Sequence, residues 1–425
     1  MVVGVDMSIA LFLQLLDPVV RADPYPIYHR ILEECPVLSS PLGAVVLARY
    51  ADCASVLRDA RASTDQRHSA TYQAMVASGE LHPIAQAQSK QPAFLFLDPP
   101  DHTRLRGLVS KAFTPRAVEA MRPMVQGWVD ELIDQAAGDG RMEVIADLAY
   151  PLPVRVICRM LGIPAEDHQR FQAWSRDLAR GLDPAETLAA DEQKRTISAL
   201  TALTEYFDEL IARRRAELRR GATGAPPGDD LLSALIAVEE QGEQLTAAEL
   251  NATCRLLLIG GHETTVSLIA NGMLALLRHP DQLERLSADR SLAGSAVEEV
   301  LRYDPPGQFA GRVAREPLEV GGVTISRGQQ IVLLLAAAQR DPARFADPQR
   351  FDITRAENAH LAFGAGIHFC IGAPLARLEG QVALTALAAR LVDPVLEADP
   401  PPYKDHIILR GPLALPIAFS DVKPA

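Results

Sequence analysis

Phe363-Gly364-Ala365-Gly366-Ile367-His368-Phe369-Cys370-Ile371-Gly372 is the stretch on which the reading of this chain turns. Its glycines permit a tight turn and let backbone N–H groups approach a sulfur closely. A thiolate facing an iron must be held in a turn, kept dry and surrounded by hydrogen-bond donors. Phe363, seven residues before Cys370, can cover the sulfur with an apolar ring, and His368, two residues before it, can reach a haem propionate. The run reads as a socket for a haem iron with Cys370 as the metal ligand. A glycine-rich loop around a structural cysteine is the plainer alternative. The helical sequence Ala373-Pro374-Leu375-Ala376-Arg377-Leu378-Glu379 follows at once.

The remaining composition narrows the classes. The 425 residues are 48% hydrophobic and 23% charged, which is ordinary globular usage with ample chain for a large core. A net charge of -12 argues against nucleic acid as a partner. The five cysteines, Cys35, Cys53, Cys158, Cys254 and Cys370, are scattered and contain no CxxC pair, so neither a disulfide framework nor a zinc site is expected. The apolar stretch Ile9 to Leu16 is too short to span a bilayer and lacks a basic flank. A cytoplasmic protein with no membrane partner is the expectation.

Helical periodicity dominates. A helix is expected from Pro24 through Ile31, a strand pair at 45–47 and 48–50, and a short helix at 51–58. Residues 62–96 read as a long, partly helical loop. Helices follow at 116–138, 143–161, 165–180 and 195–220. Gly221-Ala222-Thr223-Gly224-Ala225-Pro226-Pro227-Gly228 is the clearest loop signal. Thr246 with Glu249 three residues later forms a capping box that opens a helix to about Leu277. Strand-like runs return at 318–325, 330–335, 407–409 and 413–419.

Three further motifs carry chemistry. Gly260-Gly261-His262-Glu263-Thr264-Thr265 lies inside the long helix. Two mid-helix glycines cost about 1 kcal/mol each relative to alanine. They let a flat cofactor approach the backbone, or let the helix open locally, beside an acid and a hydroxyl able to relay protons. Tight packing of helices is the alternative. Glu299 and Arg302 share one helix face, 71 residues before Cys370, ahead of a meander-like run from Arg340 to Asp352. In Asp98-Pro99-Pro100-Asp101-His102-Thr103-Arg104-Leu105-Arg106 a proline-capped helix start sets His102 and Arg106 one turn apart.

The cysteine run resembles the haem-ligand loop of the cytochrome P-450 family, and the other motifs fall in that family's order between about Tyr25 and Phe419. Two positions depart from its pattern: Gly260 stands where alanine is common, and His262 is an unusual polar residue beside the acid. The resemblance implies a mainly α fold with small β-sheets, a helical triangular prism holding haem between the long central helix and the Cys-ligand loop. It implies one domain over 1–425, β-rich at about 20–65 and 310–335 and helical elsewhere.

The same resemblance implies site roles. The cofactor is haem b (iron protoporphyrin IX), with O2 as co-substrate. Cys370 is the axial ligand in a loop shaped by Phe363, Gly364 and Gly366. His102, Arg106, Arg312 and His368 hold the propionates, since buried carboxylates need cations or donors. Glu263 feeds protons and Thr264 steadies bound oxygen. Glu299, Arg302 and Arg350 lock the haem-side core. The substrate pocket draws on Phe94, Leu257, Gly260, Gln308, Phe309 and Ile407, with the stretch near 170–190 and His406.

The implied activity is insertion of one oxygen atom from O2 into a medium-sized, largely apolar small molecule such as a terpenoid, polyketide or aromatic metabolite, by hydroxylation or epoxidation. The chain carries no GxGxxG nucleotide fingerprint and no iron–sulfur cysteine cluster. Electrons must therefore arrive from outside, and the resemblance implies NAD(P)H as their source through a reductase and a ferredoxin docking near Arg104, Lys111, Arg116 and Arg377 of a monomer. The alternatives are a peroxide-driven peroxygenase and a non-catalytic haem-binding or partner-recruiting protein. Glu263 and Thr264 argue against both.

Overall fold

Why helices dominate is visible in their buried faces. In the computed structural model, which describes residues 3–41, 43–136, 138, 140–219, 230–240 and 245–425, helix after helix buries a stripe recurring every three or four residues. Helix Ala190–Arg219 buries Thr196, Ala199, Leu203, Tyr206, Phe207, Leu210 and Ile211 in that rhythm. The loop read at 221–228 lies outside the described residues. The chain divides into two compact units, one of residues 1–71, 119–152 and 264–425, the other of 72–118 and 153–263.

In the first unit, the β-rich stretches near both ends build one sheet. Its five strands run in the order Val37–Ser39, Val45–Leu47, Gln330–Leu334, Phe309–Ala314, Ala62–Ser63. Val45–Leu47 lies parallel to Gln330–Leu334, with Val46 opposite Val332. The two-residue period sorts the side chains. Val45, Leu47, Ile331 and Leu333 enter one core with Cys53, Leu57, Leu361 and Ala365. Val46 and Leu334 enter another with Leu11, Leu15, Ile27, Tyr28 and Ile31. The first core thus reaches into the cysteine run at Ala365. The second absorbs the N-terminal apolar stretch, which forms helix Val3–Leu16. Among the described residues no helix is long and apolar enough to cross a membrane.

Several sequence expectations shift. The partner of Val45–Leu47 is Val37–Ser39, not 48–50, because Tyr50 already opens helix Tyr50–Arg58. Residues 116–138 divide into Pro115–Glu119 and Arg122–Ala136. Residues 407–409 form no strand beyond a single bridge from Leu409 to Gly307.

The Glu299–Arg302 lock corrects a residue assignment. Both side chains are fully buried, and Arg302 Nε and Nη2 each donate to the Glu299 carboxylate at 2.8 Å. Arg302 also donates to the carbonyls of Gln339, Pro348 and Arg350. Arg350 therefore contributes its backbone, while its guanidinium is 61% exposed. The meander arginine on Glu299 is Arg355, whose Nε lies 3.3 and 3.2 Å from the two carboxylate oxygens. Asp352 N and Asn358 Nδ2 complete the cage around that carboxylate.

The second unit is helical. Its longest neighbours in sequence, His168–Arg180 and Ala190–Arg219, pack through an aromatic cluster in which Phe171 meets Tyr206 edge-on at 4.9 Å. The capping box forms as expected: Thr246 N donates to Glu249 Oε2, and Glu249 N donates to Thr246 Oγ1. It opens a 32-residue helix, Ala247–Arg278, which continues into the first unit from Thr264.

Candidate active site

Cys370 differs from the other cysteines in its surroundings. Cys53, Cys158 and Cys254 are buried. Desolvation pushes the Cys158 and Cys254 thiols up to about 12, and Cys53 higher still. Cys35 is raised as well, again chiefly by burial. Such thiols are inert. Cys370 is exposed, in a loop that also leaves Ile367 and Phe369 51% and 40% exposed. A rigid loop presenting a thiol with apolar side chains suits a flat apolar ligand.

The loop is built tightly. Cys370 N donates to Phe363 O at 2.9 Å, closing the turn. Gly364 and Gly366 have φ of +68° and +71°, in the left-handed region. At Gly366 a Cβ would stand 2.5 Å from Leu57 O. Phe363 and Phe369 meet edge-on at 6.2 Å. Behind Phe363, the Arg377 guanidinium lies 4.6 Å from the ring centre and is held by Glu298 at 2.6 and 2.8 Å. His360 Nε2 adds a contact of 3.0 Å to Glu298. Burial works against the Glu298 carboxylate, but the bonds from Arg377 and His360 outweigh it and hold its pKa at about 2.

The expected carboxylate partners appear in both units. In the first, Arg312 is buried on strand Phe309–Ala314. His368 Nε2 lies 3.3 Å from Thr64 Oγ1, and Thr64 directly follows the strand that pairs with Val313. In the second, His102 is buried on helix Asp101–Ser110, with Arg106 a turn further on. Burial, then the charge of Arg106, lowers the His102 pKa, favouring a neutral donor. Arg104 points elsewhere: it binds Glu249 and Asp101.

Three consecutive residues of the long helix face three environments. A Cβ on Gly260 would meet nothing within 4 Å, and one on Gly261 would meet Ile157 at 3.4 Å. His262 Nδ1 lies 2.6 Å from Ser175 Oγ, both side chains buried. His262 is thus turned toward helix His168–Arg180. Glu263 is buried and Thr264 half-buried. The helix stays continuous through both glycines, so they remove bulk and do not open it.

Of the expected pocket residues, Gln308, Phe309 and Ile407 line one small cleft with His406 and Tyr28. Gln308 is engaged at both ends, accepting from Tyr28 Oη and donating to Pro305 O. Phe94 and Leu257 are buried in the second unit. The Phe94 ring lies tilted against the His102 ring, with centres 6.4 Å apart. Within the first unit the exposed thiol of Cys370, buried Arg312 and His368 have the chemistry that a haem iron and its carboxylates call for; within the second, buried His102, Arg106 and the open side of Gly260 do.

The family model for Cytochrome P450 matches residues 67–412. The chain belongs to the cytochrome P450 family. It is 43% identical over 409 residues to cytochrome P450 monooxygenase PikC of Streptomyces venezuelae, covering 94% of this chain and 91% of that protein. It is 40% identical to the vitamin D(3) 25-hydroxylase of Pseudonocardia autotrophica, over 93% of this chain and 94% of the relative. The crystal structure of Mycobacterium smegmatis CYP164A2 with econazole bound superposes with a TM-score of 0.87 at 47% identity, covering 96% of this chain and 99% of that one. This P450 is accordingly a haem-thiolate monooxygenase of bacterial type, using haem b and O2.

Sequence reasoning missed Arg355 and Ser175. Arg355 had a signal, the spacing Asp352-x-x-Arg355 after the meander. Ser175 had none, since an isolated serine in a helix carries no pattern.

Proposed function

We propose that this P450 inserts one oxygen atom from O2 into a medium-sized, largely apolar secondary metabolite or xenobiotic, by hydroxylation or epoxidation. The observation that carries the reading is the Glu263–Thr264 pair following the open side of Gly260 on an unbroken helix. The relative from Pseudonocardia autotrophica is, by its name, a vitamin D(3) 25-hydroxylase, which supports hydroxylation as the reaction here.

Cys370 holds the iron, and Phe363 shields the sulfur from water. Arg106 and Arg312 neutralise the propionates, with His102 and His368 as donors. When bound, the haem supplies oxygen activation and oxygen-atom transfer. Glu263 carries protons inward from solvent, and the Thr264 hydroxyl holds a proton donor at the reacting position. In the second unit Phe94 and Leu257 give apolar walls and Gly260 gives room; in the first, Phe309 and Ile407 give apolar surface. Per turnover, two electrons and two protons enter, one oxygen atom goes to substrate and the other leaves as water. The electrons come from NAD(P)H through a reductase and a ferredoxin. Exposed Lys111 and Arg116 are the docking cations, because Arg104 and Arg377 are committed to Glu249 and Glu298. The enzyme works as a cytoplasmic monomer.

The test is a metabolite library screened for spectral displacement of iron-bound water, then turned over with NADH, a surrogate reductase and ferredoxin. Product should require NADH and O2. Product formed with hydrogen peroxide alone at equal rate would replace this reading with a peroxygenase. The reduced protein with carbon monoxide should show the red-shifted Soret band of a thiolate-ligated haem, and Cys370→Ser should lose it. Persistence of the band would move the ligand to another cysteine.

A further inference from the structure

Helix His168–Arg180 buries Phe171, Ser175, Leu178 and Ala179. Ser175 is the one polar residue among them. A buried hydroxyl is tolerated only when bonded, and Ser175 Oγ meets His262 Nδ1 at 2.6 Å. A second polar tie holds the neighbouring helix: Asn251 Nδ2 donates to Thr204 O at 2.8 Å and Asp208 Oδ1 at 2.7 Å. Asn251 and His262 stand about 16 Å apart along the long helix at 1.5 Å rise per residue. The two tied helices are joined to each other, because Phe171 and Trp174 pack against Tyr206, Tyr206 Oη donates to Asp167, and Thr196 Oγ1 donates to Asp177 O. Apolar contacts tolerate sliding, whereas a hydrogen bond weakens steeply once distance and angle depart from ideal. The Ser175–His262 bond therefore sets the register of helix His168–Arg180 directly beside Gly260, Gly261 and Glu263.

We propose that Ser175 and His262 form a clasp that seats helix His168–Arg180 on the long helix beside Glu263, making Ser175 a positioning residue that governs the passage of bulky ligands. This rests on the haem being bound at the open side of Gly260, but not on the proton-relay role of Glu263. His262 then serves seating and leaves proton delivery to its neighbour.

Two nitrogenous haem ligands of different size test the clasp in the haem-loaded enzyme. Imidazole is small enough to come and go without moving a helix, whereas clotrimazole carries bulky aryl rings. Stopped-flow absorbance should show clotrimazole leaving Ser175→Ala at least threefold faster than wild type, with imidazole kinetics unchanged. Ser175→Thr, which keeps the hydroxyl, should return close to wild type. His262→Leu should match Ser175→Ala, and the double variant should add nothing, as expected of two partners in one bond. Alanine's higher helix propensity offsets part of the cost of taking the hydroxyl from His262, and thermal unfolding of the haem-loaded Ser175→Ala checks that the fold is kept.

Amide hydrogen exchange over residues 168–180, which needs no ligand, should speed severalfold in both single variants. Wild-type clotrimazole release in both, equal acceleration of imidazole, or additive single effects would overturn the clasp. If neither azole gives a haem spectrum, the haem assignment has failed instead. Unchanged exchange over 168–180 would then overturn the clasp by itself, and faster exchange would sustain the seating.

Discussion

Arg355 donates its Nε to both carboxylate oxygens of Glu299, 3.3 Å from Oε1 and 3.2 Å from Oε2, across 56 residues of chain. With Arg302 on the other side, one fully buried carboxylate serves two guanidinium groups. Buried charges survive only when paired and hydrogen-bonded, and this cage meets that condition by joining the helix Ala293–Tyr303 to the meander.

Arg355→Ala should cost about 1.5–3 kcal/mol, the range for a hydrogen bond to a charged group. Arg350→Ala should fall within about 0.5 kcal/mol, since its guanidinium is exposed and its carbonyl survives the change. Thermal unfolding of the haem-loaded variants ranks them. Equal losses would return the lock to Arg350.

Gly366→Ala and Gly364→Ala separate backbone strain from collision. Both positions have positive φ, which costs an L-residue roughly 1–2 kcal/mol. Only at Gly366 would the new Cβ collide with a backbone carbonyl, that of Leu57 at 2.5 Å; at Gly364 the nearest, that of His368, lies at 4.0 Å. Gly366→Ala should abolish haem retention on gel filtration, and Gly364→Ala should keep most of it.

The brace behind the ligand loop makes an acid-side prediction. The Glu298 carboxylate, ordinarily near 4.5, is held at about 2 in the folded protein. A depressed carboxylate stabilises the fold fully above its unfolded pKa and loses that contribution as pH falls through its folded one. Stability should drop between about pH 4.5 and about pH 2 in the wild type. Glu298→Gln should show a shallower drop in melting temperature over that window. Parallel curves would remove Glu298 from the acid response.

Thr264→Ala should keep haem and substrate binding yet divert electrons to hydrogen peroxide. The readout is product per NADH consumed with the same redox proteins. Loss of at least half the coupling is expected, and unchanged coupling would leave Thr264 with a packing role.

Much of the molecule was written locally. The capping box at Thr246 and Glu249, the long helix to Arg278, and the turn of Phe363 to Gly372 depend on residues a few positions apart, so spacing alone announces them. The family followed from the order of such motifs. Other features depend on which distant side chain arrives. Arg350 and Arg355 sit in the same meander, and only the path of the chain past Glu299 selects between their side chains. Arg377, which the sequence offers as an exposed cation, is held by Glu298, 79 residues away. His262 showed its direction only with Ser175, 87 residues away in another helix. Sequence spacing sets which face of an element a side chain occupies; the partner waiting on that face is set by packing.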